Sequence, residues 1–224
     1  MHATPPDAGC YHDIRTPGGS VQHQPISESF DSILEPFKSC FSRPSFLNFT
    51  TLVVGWILCR RRRWITRVFV ASGELPNRHI SAFYRFFTSA RWDPDQLSER
   101  LFRLLLRHLP PTIDAMVDDT LCRRSGPRIF GISMHHDGAA SSYSTGSSSH
   151  LACGHAWVIL SVRVSVPWKS QGLAVPILFR LYRSPKRCSK LEYRKRTELA
   201  AEMVTKLSAW LPDDRSLHLT GDRE

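Results

Sequence analysis

The chain has 224 residues, 42% of them hydrophobic, with a formal charge of +10 and a pI near 9.7. That length holds one large domain or two small ones around a sizeable core, and the basic excess points to a polyanionic partner, nucleic acid or an anionic membrane surface. Six scattered cysteines (Cys10, Cys40, Cys59, Cys122, Cys153 and Cys188) form no C-x-x-C pair, so they give neither a zinc motif nor a small disulfide scaffold and fit a reducing cytoplasm.

Residues 1–25 have no periodicity, many breakers and no signal-peptide pattern, and read as a disordered leader. Ser27 or Ser29 is placed to cap a helix running to about Cys40, with Phe30, Ile33, Leu34 and Phe37 on one face. Pro44 opens an apolar helix whose stretch Phe46–Cys59 is followed at once by Arg60 to Arg63. Such a run can be a membrane anchor with a basic flank. Its 14 residues, with Asn48, Thr50 and Thr51 inside, fall short of the roughly 17–25 that a span needs, so a buried helix is the preferred reading. Trp64–Ala71 is a short helix, broken by Gly73 and Pro76. His79–Ala90 is aromatic-rich, and Phe83, Tyr84, Phe86, Phe87 and Trp92 read as core rather than as a base-stacking platform. Asp93-Pro94 is an N-cap followed by proline at the first helical position. The helix it starts runs to about Leu109, with Leu97, Leu101, Leu104, Leu105 and His108 on one face, and ends at Pro110-Pro111. Residues 26–111 are thus expected to form an all-helical unit.

After Pro111 the period changes. Thr112–Leu121 and Arg128–His135 read as strands paired in a hairpin across a Ser-Gly-Pro turn. Residues 138–150 form a Gly/Ser loop. Ala156–Val166 is a strongly β-branched strand that Leu173–Tyr182 continues or doubles. Lys190–Trp210 is predicted as one long amphipathic helix, apolar at Leu199, Met203, Leu207 and Trp210, and Ser216–Gly221 as the last strand. A helix that leaves one strand and delivers a parallel one is a crossover, which can lay the last strand beside the first.

That order gives the acids their interest. Asp118-Asp119 and Asp222 then stand near the carboxyl ends of neighbouring strands, where sites in open α/β sheets form. Between strands, His135, His136, Asp137, His150, Cys153 and His155 raise the idea of zinc, but their spacing fits no common zinc motif and polar loop roles are preferred. Each half of the chain is net basic, and one stretch is dense: Arg180, Arg183, Lys186, Arg187, Lys190, Arg194, Lys195 and Arg196, opposed only by Glu192. Phosphate contact and a plain solvated face are about equally supported for it.

Several segments together resemble the DDE transposases of bacterial insertion sequences, the DDE superfamily endonucleases. They are Gly55-Trp56-Ile57-Leu58, Thr66-Arg67-Val68, Phe83-Tyr84-Arg85-Phe86-Phe87 with Ala90-Arg91-Trp92, Val117-Asp118-Asp119-Thr120, His136-Asp137, Gly154-His155-Ala156-Trp157-Val158, Val175-Pro176, Arg180-Leu181-Tyr182 and Gly221-Asp222. The resemblance implies an α+β or α/β chain, with an N-terminal helical DNA-binding domain (26–111) and a ribonuclease H-like mixed-sheet domain (112–224). It implies catalysis with two Mg2+ (or Mn2+) ions held by Asp118 as first acid, Asp222 as second, and a glutamate on a helix well downstream. Because the chain stops at Glu224, the ribonuclease H-like domain is expected to be incomplete and the chain to be a transposase fragment. The implied partners are DNA, as element ends and target, and a second copy in an intact homodimer, with no membrane and no small-molecule substrate, in a bacterial, nucleoid-associated cytoplasmic setting. Two alternatives stand beside it: a non-catalytic nucleic-acid-binding relic or regulator, and a basic membrane-associated protein anchored by Phe46–Cys59.

Overall fold

A computed structural model describes residues 28–60, 62–74, 78–126, 128–137 and 151–221; the expected leader and the Gly/Ser loop lie outside them. Among the described residues six α-helices and a mixed five-stranded sheet make an α+β fold. Helix α1 (Glu28–Leu34) is shorter than the periodicity implies. Pro36 supplies no amide hydrogen, and the chain tightens into a 3-10 segment at Glu35–Cys40. Helix α2 (Arg43–Leu58) begins where Pro44 predicts it, and α3 (Ile65–Ala71) crosses it at Gly55. A Cβ on Gly55 would stand 2.1 Å from the Val68 carbonyl oxygen, so only glycine allows the two backbones to meet. Helix α4 (Ser81–Thr88) completes a small core of Leu52, Cys59, Val68, Phe69, Phe83 and Phe86. Trp92 closes it by stacking on Phe86 at 5.5 Å and donating its indole N–H to the Phe86 carbonyl at 3.1 Å. The aromatic run is mostly core, with Tyr84 and Phe87 half exposed. No described helix is long and apolar enough to cross a membrane.

Helix α5 (Pro94–Leu105) is capped by Asp93, whose carboxylate accepts the Asp95 N–H at 2.9 Å. Although α5 belongs by period to the helical half, it packs on the sheet. Phe102 is fully buried there with Leu109, and Leu101, Leu105 and Leu106 lean on the same core. The residues of one core run from Phe41 to Trp92 and those of the other from Leu101 to Leu217.

The strands are β1 (Thr112–Arg123), β2 (Ser133–His136), β3 (Leu151–Val166), β4 (Lys169–Tyr182) and β5 (Ser216–Gly221). β3 lies antiparallel to both β1 and β4, and β5 lies parallel to β1, giving the order β4-β3-β1-β5. Helix α6 (Arg196–Trp210) carries the chain over the sheet from β4 to β5. This is the ribonuclease H-like arrangement: the last strand lies beside the first.

Three expectations need correction. β1 and β2 form no hairpin. Gly154 of β3 pairs with Arg123 on one edge and Ser133 on the other, so β3 separates them. Gly131, at φ +75°, turns the chain and delays β2 to Ser133. Leu173–Tyr182 is no continuation of β3 but its antiparallel neighbour, because Pro167-Trp168 reverses the chain between Val166 and Lys169. The helix expected from Lys190 begins only at Arg196. Before it, Ser189 and Glu192 close a local turn through their own hydrogen bonds, and Glu198 then accepts the Lys195 N–H at 2.9 Å.

One face of the sheet is covered. Ile113 and Ala115 of β1, alternate residues of β3 from Val158 to Val164, and Ile177 and Leu178 of β4 meet Leu199, Met203 and Leu207 of α6 and Phe102 of α5.

Candidate active site

Adjacent strand residues point to opposite faces, and this splits the acid pair of β1. Asp119 shares its face with Val117 and the covered core. Its carboxylate receives Arg196, from the first turn of α6, at 2.8 Å, and that guanidinium lies 5.0 Å over the Tyr182 ring. Buried His135 stands at the same corner, edge-on to Tyr182 at 5.9 Å and within 3.0 Å of the Ser133 hydroxyl. Burial holds its imidazole below the ordinary pKa; the Arg196 charge adds to that effect and Asp119 opposes it.

Asp118 occupies the other face and is exposed. Among the described residues its carboxylate enters no ion pair; it accepts the Asp119 N–H at 2.8 Å. Its register neighbour is Ile159, itself opposite Phe179 of β4, and Thr120 lies opposite Trp157. Around Asp118 this face is largely apolar, with Phe179 about half exposed, and Asp114 shares it four residues back along β1, met there by His218 and Arg163.

The parallel pairing of β1 with β5 runs from Thr112↔Ser216 to Val117↔Gly221. It ends on the two residues that immediately precede Asp118 and Asp222. Asp222 itself lies outside the described residues. Two contacts beside the ladder hold the register: the Ser216 hydroxyl meets the Thr112 hydroxyl at 3.0 Å, and His218 meets Asp114 at 3.1 Å.

The basic stretch divides by environment. Arg180 turns to the covered face, where its guanidinium binds Asp95 of α5 at 2.8 Å and Glu202 of α6 at 3.0 Å, and Lys206 joins Asp95 at 2.9 Å. Burial acts first on Asp95 and raises its pKa, but hydrogen bonds from Lys206 and Arg180 and their charges prevail and leave it below the usual carboxylate range. Arg183 lies 4.9 Å over the Phe130 ring and 3.5 Å from Glu192. Lys186, Arg187, Lys190, Arg194 and Lys195 are exposed on the connection between β4 and α6. The charge run therefore mixes two structural anchors, Arg180 and Arg196, with a solvated basic loop. Sequence reasoning missed both anchors, and the signal was weak: Asp95 is 85 positions from Arg180.

The residues that raised the zinc idea do not converge. Asp137 pairs with Arg123, the His155 ring meets the Phe130 carbonyl at 2.8 Å, and among the described residues no three potential ligands cluster. His150 lies outside them.

Residues 36–218 match the family model of the DDE superfamily endonucleases. The chain belongs to that family. No curated protein and no solved structure matches it. Membership makes it a transposase-like nuclease, with DNA as the implied partner and divalent metal as the family's general requirement. The exposed Asp118 carboxylate, a hard oxygen donor with no ion-pair partner among the described residues, suits such an ion.

Proposed function

We propose that this DDE endonuclease acts in DNA transposition, with Asp118 and Asp222 as the first and second acids and Mg2+ or Mn2+ as cofactor. The observation that carries the reading is the β1–β5 register, which closes on Val117 and Gly221, one residue before each acid. The split of the acid pair supports it. Asp119 is paired with Arg196, whereas Asp118 has no ion-pair partner among the described residues. When bound, the family's metal ions activate the attacking oxygen and stabilise the leaving oxygen of phosphoryl transfer. The chain's own part is to hold Asp118 just past the last β1–β5 pair, Val117 and Gly221, with Arg196 fixing the strand from behind through Asp119, and Asp222 is the residue that follows Gly221 in the sequence. The exposed cations of the β4–α6 connection, Lys186, Arg187, Lys190, Arg194 and Lys195, with Arg183 at its start, hold the DNA backbone without reading bases. Arg180 and Arg196 frame that connection through their ion pairs.

Titration with Mn2+, followed by its electron spin resonance, tests the acid assignment. Asp118→Asn should abolish binding and Asp119→Asn should retain it; retention in Asp118→Asn would overturn the assignment. Nicking of supercoiled plasmid tests the activity, and loss of Mg2+-dependent nicks in Asp118→Asn is the expected result. Salt-sensitive DNA binding with no nicking would instead favour a non-catalytic nucleic-acid-binding role. Six phosphate contacts predict a slope of about −5.4 in log K against log salt, so affinity should fall roughly 1,800-fold from 50 to 200 mM salt.

A further inference from the structure

Residues 36–92 carry ten lysines and arginines against one acid, Glu74, whereas the rest of the chain is nearly balanced at 20 against 19. The basic excess therefore belongs to the small helical unit of α2, α3 and α4. Charge alone describes a solvated face as well as a binding surface, but one arginine of this unit is neither fully solvated nor neutralised. Arg78 lies half-buried just before α4. Its Nη1 donates to the Leu47 carbonyl at 3.2 Å and to the Thr51 hydroxyl at 3.3 Å, and its Nη2 donates to the Asn48 side-chain oxygen, all on α2. The guanidinium stands 5.3 Å over the ring of Phe83, which is fully buried. Its position is thus fixed by four groups, none of them charged. Glu74 lends Arg78 only its backbone carbonyl, at 3.1 Å, and among the described residues no carboxylate pairs with Arg78.

We propose that Arg78 is a phosphate clamp through which the helical unit holds the backbone of DNA. Withdrawing a charge from water costs free energy unless an opposite charge meets it, and the four neutral groups leave the charge of Arg78 uncompensated. Of the five N–H donors of a guanidinium, three are taken by α2. The Nε–H and one Nη2 hydrogen remain, in one rigid plane that suits the oxygens of a single phosphate. Among the described residues the buried side-chain nitrogen left without a partner is that of Arg183, so the Arg78 Nε–H is open to solvent. The neighbouring His79 accepts the Ser81 N–H on Nδ1 at 3.2 Å, which places the proton of its neutral ring on Nε2, a further donor on an exposed side chain. A lone carboxylate would satisfy Arg78, but ten cations against one acid call for a polyanion. DNA is the polyanion that the family implies. Contact of this kind positions the duplex and carries no base reading. It lies outside the β4–α6 connection and does not depend on the assignment of the acids.

The test uses the full chain and a fluorescein-labelled DNA duplex, read by anisotropy across a salt series. One phosphate contact carries a slope of about −0.9 in log K against log salt, so Arg78→Gln should show a slope shallower by about 0.9 and bind about fivefold more weakly near 0.15 M salt. Its amide can still donate to α2, and melts by circular dichroism check that it keeps the fold. Arg78→Lys retains the charge and should restore the slope, whatever it does to the melt. In the wild type, the Arg78 Nε–H signal in NMR, assigned by its absence from Arg78→Lys, should shift with the duplex and not with polyglutamate. That signal decides alone if Arg78→Gln unfolds. Lys190→Gln, on the β4–α6 connection, should lower the slope whatever the fate of Arg78, so the two contacts stand or fall separately. The proposal is overturned if the duplex does not bind, or if a folded Arg78→Gln keeps the wild-type slope. It is equally overturned if the Nε–H signal ignores the duplex or answers polyglutamate as strongly.

Discussion

Asp95→Ala removes the acid on which three elements converge. Asp95 lies in the first turn of α5 and binds Arg180 of β4 and Lys206 of α6 at 2.8 and 2.9 Å. Breaking a buried ion pair costs about 3–5 kcal/mol, because the remaining charge is left desolvated. Two features reduce that figure. The side chains of Arg180 and Asp95 keep 19% and 23% exposure, and Arg180 retains Glu202 at 3.0 Å. Loss of a negative charge from the start of α5 adds a few tenths of a kcal/mol. The balance is about 2 kcal/mol, or a fall in Tm of about 4–8 °C for a chain of this size. The pH dependence has a definite sign. The folded pKa of Asp95 lies below its ordinary value, so its contribution is complete above the unfolded pKa of about 3.9 and is lost as pH falls through the folded value. Wild type and Asp95→Ala should therefore differ at pH 7 and converge in acid. Thermal melts by circular dichroism across that range read both effects. A variant melting within about 1 °C of wild type at pH 7, well under the 2 kcal/mol expected, would refute the clamp.

Gly55→Ala places a methyl group 2.1 Å from the Val68 carbonyl, and a gain in helix propensity of about 1 kcal/mol cannot offset the forced separation of α2 and α3. A net loss of about 2 kcal/mol in urea denaturation is expected, and a stabilised variant would contradict the crossing geometry. Met203→Ala empties a fully buried position between α6 and the sheet, and should cost about 2–5 kcal/mol in the same assay.

Local chemistry made much of the fold legible. Pro44 and Asp93-Pro94 mark the starts of α2 and α5, the alternation of Ile113, Ala115 and Val117 marks β1, and the spacing of Leu199, Met203 and Leu207 marks the apolar face of α6. What sequence could not show were choices made between distant segments. β1 and β2 are close along the chain, yet the strand whose alternation fills both gaps is β3, and pairing follows that fit. α5 has the period of the helical half, but Phe102 finds its partners on the sheet. A run of arginines looks the same whether each is solvated or paired, and only the fold brings Asp95 to Arg180 and Asp119 to Arg196.

The acid pair shows how far a two-residue motif can be read before a fold exists. Two neighbouring aspartates invite the picture of a shared site, but on a strand they are committed to opposite faces. The covered face is where a lone carboxylate would be costly, and there Asp119 meets Arg196 and fixes the start of α6 against the end of β1. The open face costs a charge little, and there Asp118 stays without an ion-pair partner among the described residues. With Asp118 as the first acid, any further ligand must approach from the side away from α5 and α6, over Ile159 and Phe179. Asp119 then acts on the site only through the backbone, by holding β1 at the register that ends on Val117 and Gly221. Asp119→Asn should accordingly loosen the α6 junction while leaving metal binding in place, and Asp118→Asn should do the reverse.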